Sequence, residues 1–385
     1  MQQGLILVSG LVLGIWVYLV LLHGRYWREQ PQAAPKAELK HWPEVAAIVP
    51  ARDEAEVIAE ALASLLRQDY PGKLRVILVD DQSTDGTAET ARGVAAAHGA
   101  EDRLKVVSGS ALPQGWTGKM WAVQQGTEAL ETFSPGAKYV WLTDADIAHE
   151  RDSLRGLVVR AEQGNLALAS LMARLKTDTA AERALIPAYV YFFQMLYPFA
   201  WINDRRKKMG GAAGGCMLVA RKALKAAGGI AAIKGDLIDD CALGRKMKAQ
   251  GPVWLGLGDG VRSLRGYPLW SDVWRLIARS AFTQLHHSLL LLLVCVVGLA
   301  LTFLAPPYLT IQPLLGVRAF GLVAWALMAL TYIPTLRYYK QPVWWAPLLP
   351  LIAVFYLAAT VDSARRHLLG KGGEWKGRLQ AQNLS

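Results

Sequence analysis

Cysteine is nearly missing from this chain: Cys216, Cys241 and Cys295 are the only three in 385 residues, no CxxC spacing links them, and one sits inside an apolar run. A disulfide framework and a zinc site of the usual spacing are therefore excluded, which agrees with a reducing, cytoplasmic setting for the polar part of the chain. A dinucleotide fingerprint is missing too, because no GxGxxG follows the first strand-like run. No internal repeat is visible, which removes solenoids and propellers. Acidic residues are in deficit, 31 against 42 basic ones, for a formal charge of +11. That excess gathers at Arg25 and Arg28, at 205–208 and over 365–378, beside apolar segments. Anionic lipid headgroups are the partner this pattern implies, and nucleic acid is not.

Charge is also absent from residues 5–22, an apolar run of about the length a bilayer requires, followed by Arg25, Arg28 and a proline-containing stretch. It reads as an uncleaved membrane anchor, since residues 1–4 carry no charge and the run ends in Leu-Leu-His-Gly, without a small-residue cleavage site. Three more apolar segments lie near 288–306, 320–334 and 344–359, and 53% of the chain is hydrophobic. The expected organisation is an anchor over 1–24, a linker over 25–42, a polar α/β domain over 43–285, a membrane bundle over 286–362 and a basic tail over 363–385. Four full crossings would put that tail outside if the polar domain is cytoplasmic, against the positive-inside tendency. A re-entrant or interfacial segment within 288–334 removes the conflict, and both topologies stay open.

Within the polar domain, 45–49 is a short β-rich run ending in Pro50-Ala51-Arg52-Asp53-Glu54, and 55–68 has helical apolar spacing. Residues 74–79 form a second strand, running into Asp80-Asp81-Gln82-Ser83-Thr84-Asp85-Gly86-Thr87 before a helix over 88–98. Further strands are expected at 104–107 and at 139–142, the latter leading to Thr143-Asp144-Ala145-Asp146. Successive strand and helix units imply parallel strands with right-handed crossovers. Three acidic loops then stand at the C-terminal edge of a parallel sheet, where open α/β folds bind ligands.

Asp144 and Asp146, two residues apart past an apolar strand, offer hard oxygen ligands suited to Mg2+ or Mn2+, with diphosphate oxygens completing the shell. The rival is a solvated turn. Asp80 and Asp81 either cap a turn or accept hydrogen bonds from a pyrimidine or a ribose, while Ser83, Thr84 and Asp85 read as turn residues. Lys119, at a helix start after Gly118, is either a surface lysine or a cation for a diphosphate. Residues 210–215, rich in glycine and alanine, permit close backbone approach to a ligand or a tight bend. Asp239 and Asp240 open a helix, as caps or as an ionised pair containing a general base, with Asp236 nearby. The aromatic stretch 187–203 (Tyr189, Tyr191, Phe192, Phe193, Tyr197, Phe199, Trp201) is either an interfacial helix or a buried one.

Pro50-Ala51-Arg52-Asp53-Glu54, the 79–87 segment, Gly118-Lys119, Asp144-Ala145-Asp146 and Ile238-Asp239-Asp240 resemble, in order, the signature segments of family 2 glycosyltransferases, over about 45–285. The Pro-Gln-Gly-Trp-Thr-Gly-Lys segment from Pro113, the Ile-Asp-Asp and the terminal membrane helices are most similar to the hopanoid-biosynthesis-associated branch. The resemblance implies a GT-A fold, a nucleotide-diphosphate sugar donor (a UDP-sugar foremost) and inversion at the anomeric carbon. It places Pro50, Arg52, Glu54, Asp80 and Asp81 at the nucleoside, Asp144 and Asp146 at ribose and metal, and Asp240, beside Asp239, as the base. Relatives often carry Gln/Arg-x-x-Arg-Trp after the base, whereas this chain reads Trp274-Arg275-Leu276-Ile277-Ala278-Arg279-Ser280. The missing tryptophan argues against a processive polysaccharide synthase and leaves Arg279, or failing it Arg275, for the leaving diphosphate. The implied setting is the inner (cytoplasmic) membrane, multi-pass, with the domain facing the cytoplasm and a lipid acceptor. An inactive nucleotide-sugar-binding scaffold is the other alternative, and Asp240 speaks against it.

Overall fold

The computed structural model describes residues 2–29, 31–33, 35, 37–370, 374–375 and 378–379. Parts of the expected anchor (1), linker (30, 34, 36) and basic tail (371–373, 376–377, 380–385) lie outside the described residues. The chain divides into two compact units: a helical unit of 1–30, 177–201 and 266–373, and a sheet unit of 31–176, 202–265 and 374–385. The polar domain expected over 43–285 is thus shared between them, with 177–201 and 266–285 in the helical unit.

Among the described residues, the main sheet of the sheet unit has eight strands: β1 (Val45–Ala51), β2 (Leu74–Asp80), β3 (Leu104–Ser108), β4 (Tyr139–Thr143), β5 (Ile147–His149), β6 (Leu168–Arg174), β7 (Cys216–Ala220) and β8 (Val253–Ser263). Their order is β3-β2-β1-β4-β7-β6-β8-β5. β1 is buried at every position, as a continuous apolar run in the middle of a sheet covered on both faces must be. It pairs in parallel with β2 and β4, and β2 pairs in parallel with β3. Helices Ala55–Leu66, Thr87–Ala97 and Gly118–Phe133 connect these strands. The register sets Ala51 opposite Asp80 and Ile48 opposite Leu142, so the loops after β1, β2 and β4 emerge side by side at one edge.

Beyond β4 the sheet becomes mixed, with β7 antiparallel to β4 and β6, β8 parallel to β6, and β5 antiparallel to β8. β5, β6, β7 and β8 have no counterpart among the expected strands. β4 ends at Thr143 and β5 begins at Ile147, yet they stand four places apart in the sheet order. Four strand spacings come to about 19 Å, whereas four Cα steps reach about 14 Å at most. The sheet must therefore curl, and the loop of Asp144 and Asp146 draws its edge inward.

The glycine-rich 210–215 segment serves packing at its first positions. A Cβ on Gly210 would lie 2.5 Å from the carbonyl oxygen of Gly244, and one on Gly244 would lie 2.5 Å from the carbonyl carbon of Gly211. Two backbones touch there, which seats helix Asp239–Lys248.

Among the described residues of the helical unit, four helices are long and apolar enough to cross a membrane: Gln2–Leu21, Leu289–Thr310, Leu315–Tyr338 and Val343–Leu368. The aromatic stretch falls largely in helix Ala180–Leu196, which opens on a capping box of Thr179 and Glu182. Its Ile186, Ala188 and Tyr191 are fully buried. The Tyr191 hydroxyl is 2.8 Å from those of both Tyr26 and Thr331, and Tyr356 donates to the carbonyl of Leu185 at 2.8 Å. Of the two readings of this stretch, its helical core takes the buried one, because the Tyr191 hydroxyl and the Leu185 carbonyl find partners on three other segments of the same unit.

The two classes of glycine make opposite expectations. Gly244→Ala should destabilise the protein by about 1–3 kcal/mol through overpacking, despite a helix-propensity gain of about 1 kcal/mol. Gly93→Ala, inside helix Thr87–Ala97 with open space around the added Cβ, should stabilise by up to about 1 kcal/mol. Thermal denaturation of the two variants should shift Tm in opposite directions, and shifts of the same sign contradict the packing described.

Candidate active site

The first two loops are laced together by side chains accepting from backbone N–H groups. Asp53 N donates to Ser83 Oγ at 3.0 Å, Glu54 N to Thr87 Oγ1 at 2.9 Å, and Ala55 N to Asp85 Oδ2 at 2.9 Å. In return, Thr84 N donates to Asp53 Oδ1 at 2.9 Å. Asp53 and Gln82 both hold left-handed backbone, φ 50° and 58°, a conformation disfavoured for residues with a Cβ and sustained here by the lacing. Ser83, Thr84 and Asp85 therefore do the loop work expected of them. Asp80 shares it: its Oδ1 accepts from Ser83 N at 3.2 Å. Asp81 is fully buried, and Arg52 reaches it twice, donating to its carbonyl at 2.5 Å and standing 3.7 Å from its carboxylate.

The centre of the site is Lys119. Its helix begins at a Thr117 cap whose hydroxyl accepts from Met120 N, and Thr117 N donates to Lys234 O at 2.8 Å, tying the helix start to the segment before Asp239. From there the ammonium lies 2.9 Å from Asp144 Oδ1 and 3.1 Å from Asp239 Oδ2. Burial alone would lower its pKa, but Asp144, Asp239 and Asp240 outweigh that and hold it above the ordinary lysine value. The surface-lysine reading is thereby replaced by a partly buried ion cluster. Pro50, Gly214 and Ile233 line the same narrow cleft as Lys119, Asp144 and Asp239.

Asp240 opens helix Asp239–Lys248 and accepts from two backbone groups, Cys241 N at 2.7 Å and Gly214 N at 3.0 Å. Burial, reinforced by the Asp239 charge, pushes its carboxyl up to about 6, against the pull of Lys119 and those two N–H groups. Burial also raises Asp144, with Asp146 and Asp239 adding to it and Lys119 opposing.

Asp146 faces a cation that the motifs did not point to. Arg265 Nε lies 2.8 Å from Asp146 Oδ2, and the same guanidinium is bonded to Glu54. Nothing in the local sequence marks Arg265; the β5–β8 register, Ile147 opposite Ser263, delivers it. Thr143 and His149 were likewise unmarked. Thr143 Oγ1 donates to Gly215 O at 2.9 Å and meets His149 Nε2 at 2.8 Å, clasping the strand ends on either side of the acidic loop. Burial lowers the His149 pKa to about 3, so the ring stays neutral.

The carboxylates of Asp144 and Asp146 are hard oxygen donors that suit Mg2+ or Mn2+. Among the described residues, no group of three or more His, Cys, Asp or Glu is placed to hold a metal ion. The fit thus requires oxygens from a bound diphosphate to complete the shell. Arg279 belongs to the helical unit, exposed on helix Trp270–Gln284, and Arg275 on that helix pairs with Asp272.

A family model described as glycosyltransferase-like family 2 matches residues 43–254. Among curated proteins, glycosyltransferase AglE of Haloferax volcanii is 32% identical over 95 residues, a stretch that spans 24% of this chain and only 30% of that relative. Among solved structures, mannosyltransferase PcManGT from Pyrobaculum calidifontis, in complex with GDP-Man and Mn2+, aligns with TM-score 0.54 at 20% identity, covering 93% of this chain and 98% of that one. A glucosyl-3-phosphoglycerate synthase from Mycobacterium tuberculosis, in complex with Mg2+ and uridine diphosphate, aligns at TM-score 0.43 and 16% identity, over 67% of this chain and 86% of that one. The curled α/β sheet is of the GT-A type.

Lys119→Met leaves three carboxylates without their shared ammonium. Breaking a buried pair costs more than an exposed one, and at 19% side-chain exposure we expect a loss of about 1–3 kcal/mol. Without Lys119, Asp144 and Asp240, both already raised, lose the charge that opposes the rise, so they subtract more stability when ionised. The deficit should be largest above pH about 7 and fade as falling pH protonates them. Denaturation at several pH values checks this, and a deficit that grows on acidification contradicts it.

Proposed function

We propose the following reaction for this chain, which belongs to glycosyltransferase-like family 2: one sugar passes, with inversion, from a nucleotide-diphosphate sugar to a hydroxyl of a membrane lipid. The observation that carries it is the convergence of Asp144, Asp239 and Asp240 on the Lys119 ammonium, where strand end, helix start and glycine segment meet.

Pro50, Arg52, Glu54, Asp80 and Asp81 take the nucleoside end of the donor, a UDP-sugar in the first instance. The Pyrobaculum mannosyltransferase carries GDP-Man and Mn2+, a pairing of donor and metal of the class proposed here. Asp144 and Asp146 hold Mg2+ or Mn2+ with the diphosphate, and Asp144 also reaches the ribose. When bound, the cation neutralises the charge that develops on the leaving diphosphate. Lys119 adds a fixed positive charge to the same end. Asp240 accepts the proton of the acceptor hydroxyl as the sugar-diphosphate bond breaks. A carboxyl near 6 is ionised at neutral pH yet more basic than an ordinary aspartate, which suits a general base.

The acceptor we propose is a lipid because four helices among the described residues are long and apolar enough to span a bilayer. A hopanoid is the first candidate, on the resemblance of the 113–119 and 238–240 segments. The catalytic domain over 43–285 faces the cytoplasm of the inner membrane, where nucleotide-sugars are made.

The test is purified full-length chain in detergent with a nucleotide-sugar, Mn2+ and a lipid extract. We expect nucleoside diphosphate release, a lipid heavier by one sugar in mass spectrometry, and loss of both in excess EDTA with recovery on added Mn2+. Undiminished turnover in chelator contradicts the metal assignment, and a ladder of products contradicts single transfer.

A further inference from the structure

Arg265 stands where the antiparallel half of the sheet must put it. β8 pairs with β5 from Val261 opposite His149 to Ser263 opposite Ile147, and Leu264 N then donates to Asp146 O at 2.7 Å. The next residue is therefore carried past the acidic loop. Ser263 Oγ contacts both the N–H and the carbonyl of Arg265 at 3.3 Å, fixing the turn. The side chain bridges two carboxylates from separate loops, Asp146 at 18% exposure and Glu54 at 10%, while remaining 36% exposed itself. A planar guanidinium bonded to two oxygens is as well suited to a diphosphate as to carboxylates.

We propose that Arg265 is an internal counter-cation gating the metal site: it neutralises Asp146 and Glu54 when no donor is present, and it transfers to the donor diphosphate as a divalent cation takes Asp146. The inference rests on the metal reading given above and deepens it. A divalent cation approaching the donor-free protein must displace a guanidinium from Asp146, and a positive charge already in place repels it. A nucleoside diphosphate offers Arg265 new oxygens and so lowers that barrier. Cation and nucleotide thus bind cooperatively, and the coupling is reciprocal by linkage. The consequence is a site that does not hold metal tightly until the donor arrives.

The test measures Mn2+ binding by electron paramagnetic resonance on full-length protein in detergent, with and without UDP or GDP. For wild type we expect weak Mn2+ binding alone and tighter binding with nucleotide. For Arg265→Gln, Mn2+ binding without nucleotide should tighten by about threefold to tenfold, the range for losing a partly exposed ion-pair competitor, while the enhancement by nucleotide shrinks. Arg265→Lys keeps the charge and should not tighten Mn2+ binding, which also keeps the inference testable if the glutamine variant fails to fold. Arg262→Gln, which removes a partner of Glu60 on β8 three residues before Arg265, should behave as wild type. Unchanged or weaker Mn2+ binding by folded Arg265→Gln, with nucleotide enhancement intact, overturns the gate and leaves the metal reading standing. Absence of Mn2+ binding by wild type even with either nucleotide overturns the metal reading and the gate with it.

Discussion

A single ammonium held among three carboxylates is the constraint on which the rest of the site depends. Lys119 touches Asp144 and Asp239 directly and feels Asp240, so charge links the end of β4 to the start of helix Asp239–Lys248 in addition to the packing that seats the helix. Gly214 is part of the same arrangement: a Cβ there would lie 3.4 Å from the Lys119 ammonium and 3.5 Å from the Asp240 side chain, and its N–H is spent on Asp240. One positive group against three negative ones leaves the cluster short of cation. That imbalance is costly in a partly buried place unless a ligand or a proton corrects it, and Asp240, pushed up to about 6, shows the strain in its acidity.

The two halves of the sheet contribute differently to this centre. The parallel half aligns three loops at one edge, supplying Arg52, Asp81 and Asp144 as neighbours simply because β1, β2 and β4 run the same way. The mixed half closes the site from the other side. Its curl, imposed by the short link from β4 to β5, brings Arg265 to Asp146 and Glu54, and the Thr143–His149 contact locks the link in place. The acidic loop is consequently held at both ends and along its length, which is the rigidity a preorganised electrostatic site needs.

Much of this was legible in the sequence where the determinants are local. The apolar runs of β1, β2 and β4 announce buried parallel strands, and the acidic residues that follow each run are then forced to one edge. Asp144 and Asp146 could be singled out for that reason, and Asp239 and Asp240 because they open a helix. Arg265 could not, because its place is set by a three-residue strand pairing with a segment far along the chain, and neither leaves a local signature. The glycine-rich run was ambiguous for a different reason: glycine reports that something comes close, and only the structure says that for Gly210 and Gly211 it is the backbone of helix Asp239–Lys248 rather than a ligand. Aromatic residues at helical spacing satisfy a lipid interface and a protein core equally well, so the burial of Tyr191 rests on partners, Tyr26 and Thr331, that lie on other segments.

In the proposed reaction Asp240 does chemistry while its neighbours bind, and one measurement addresses that division directly. Asp240→Asn keeps the size of the side chain and its acceptor oxygen but removes the base. Donor affinity, measured by titration, should be nearly unchanged, while single-turnover transfer to the lipid acceptor should fall by about 10²- to 10⁴-fold. Weakened donor binding with the rate per bound donor preserved contradicts the claim, and makes Asp240 a donor ligand or a helix cap instead.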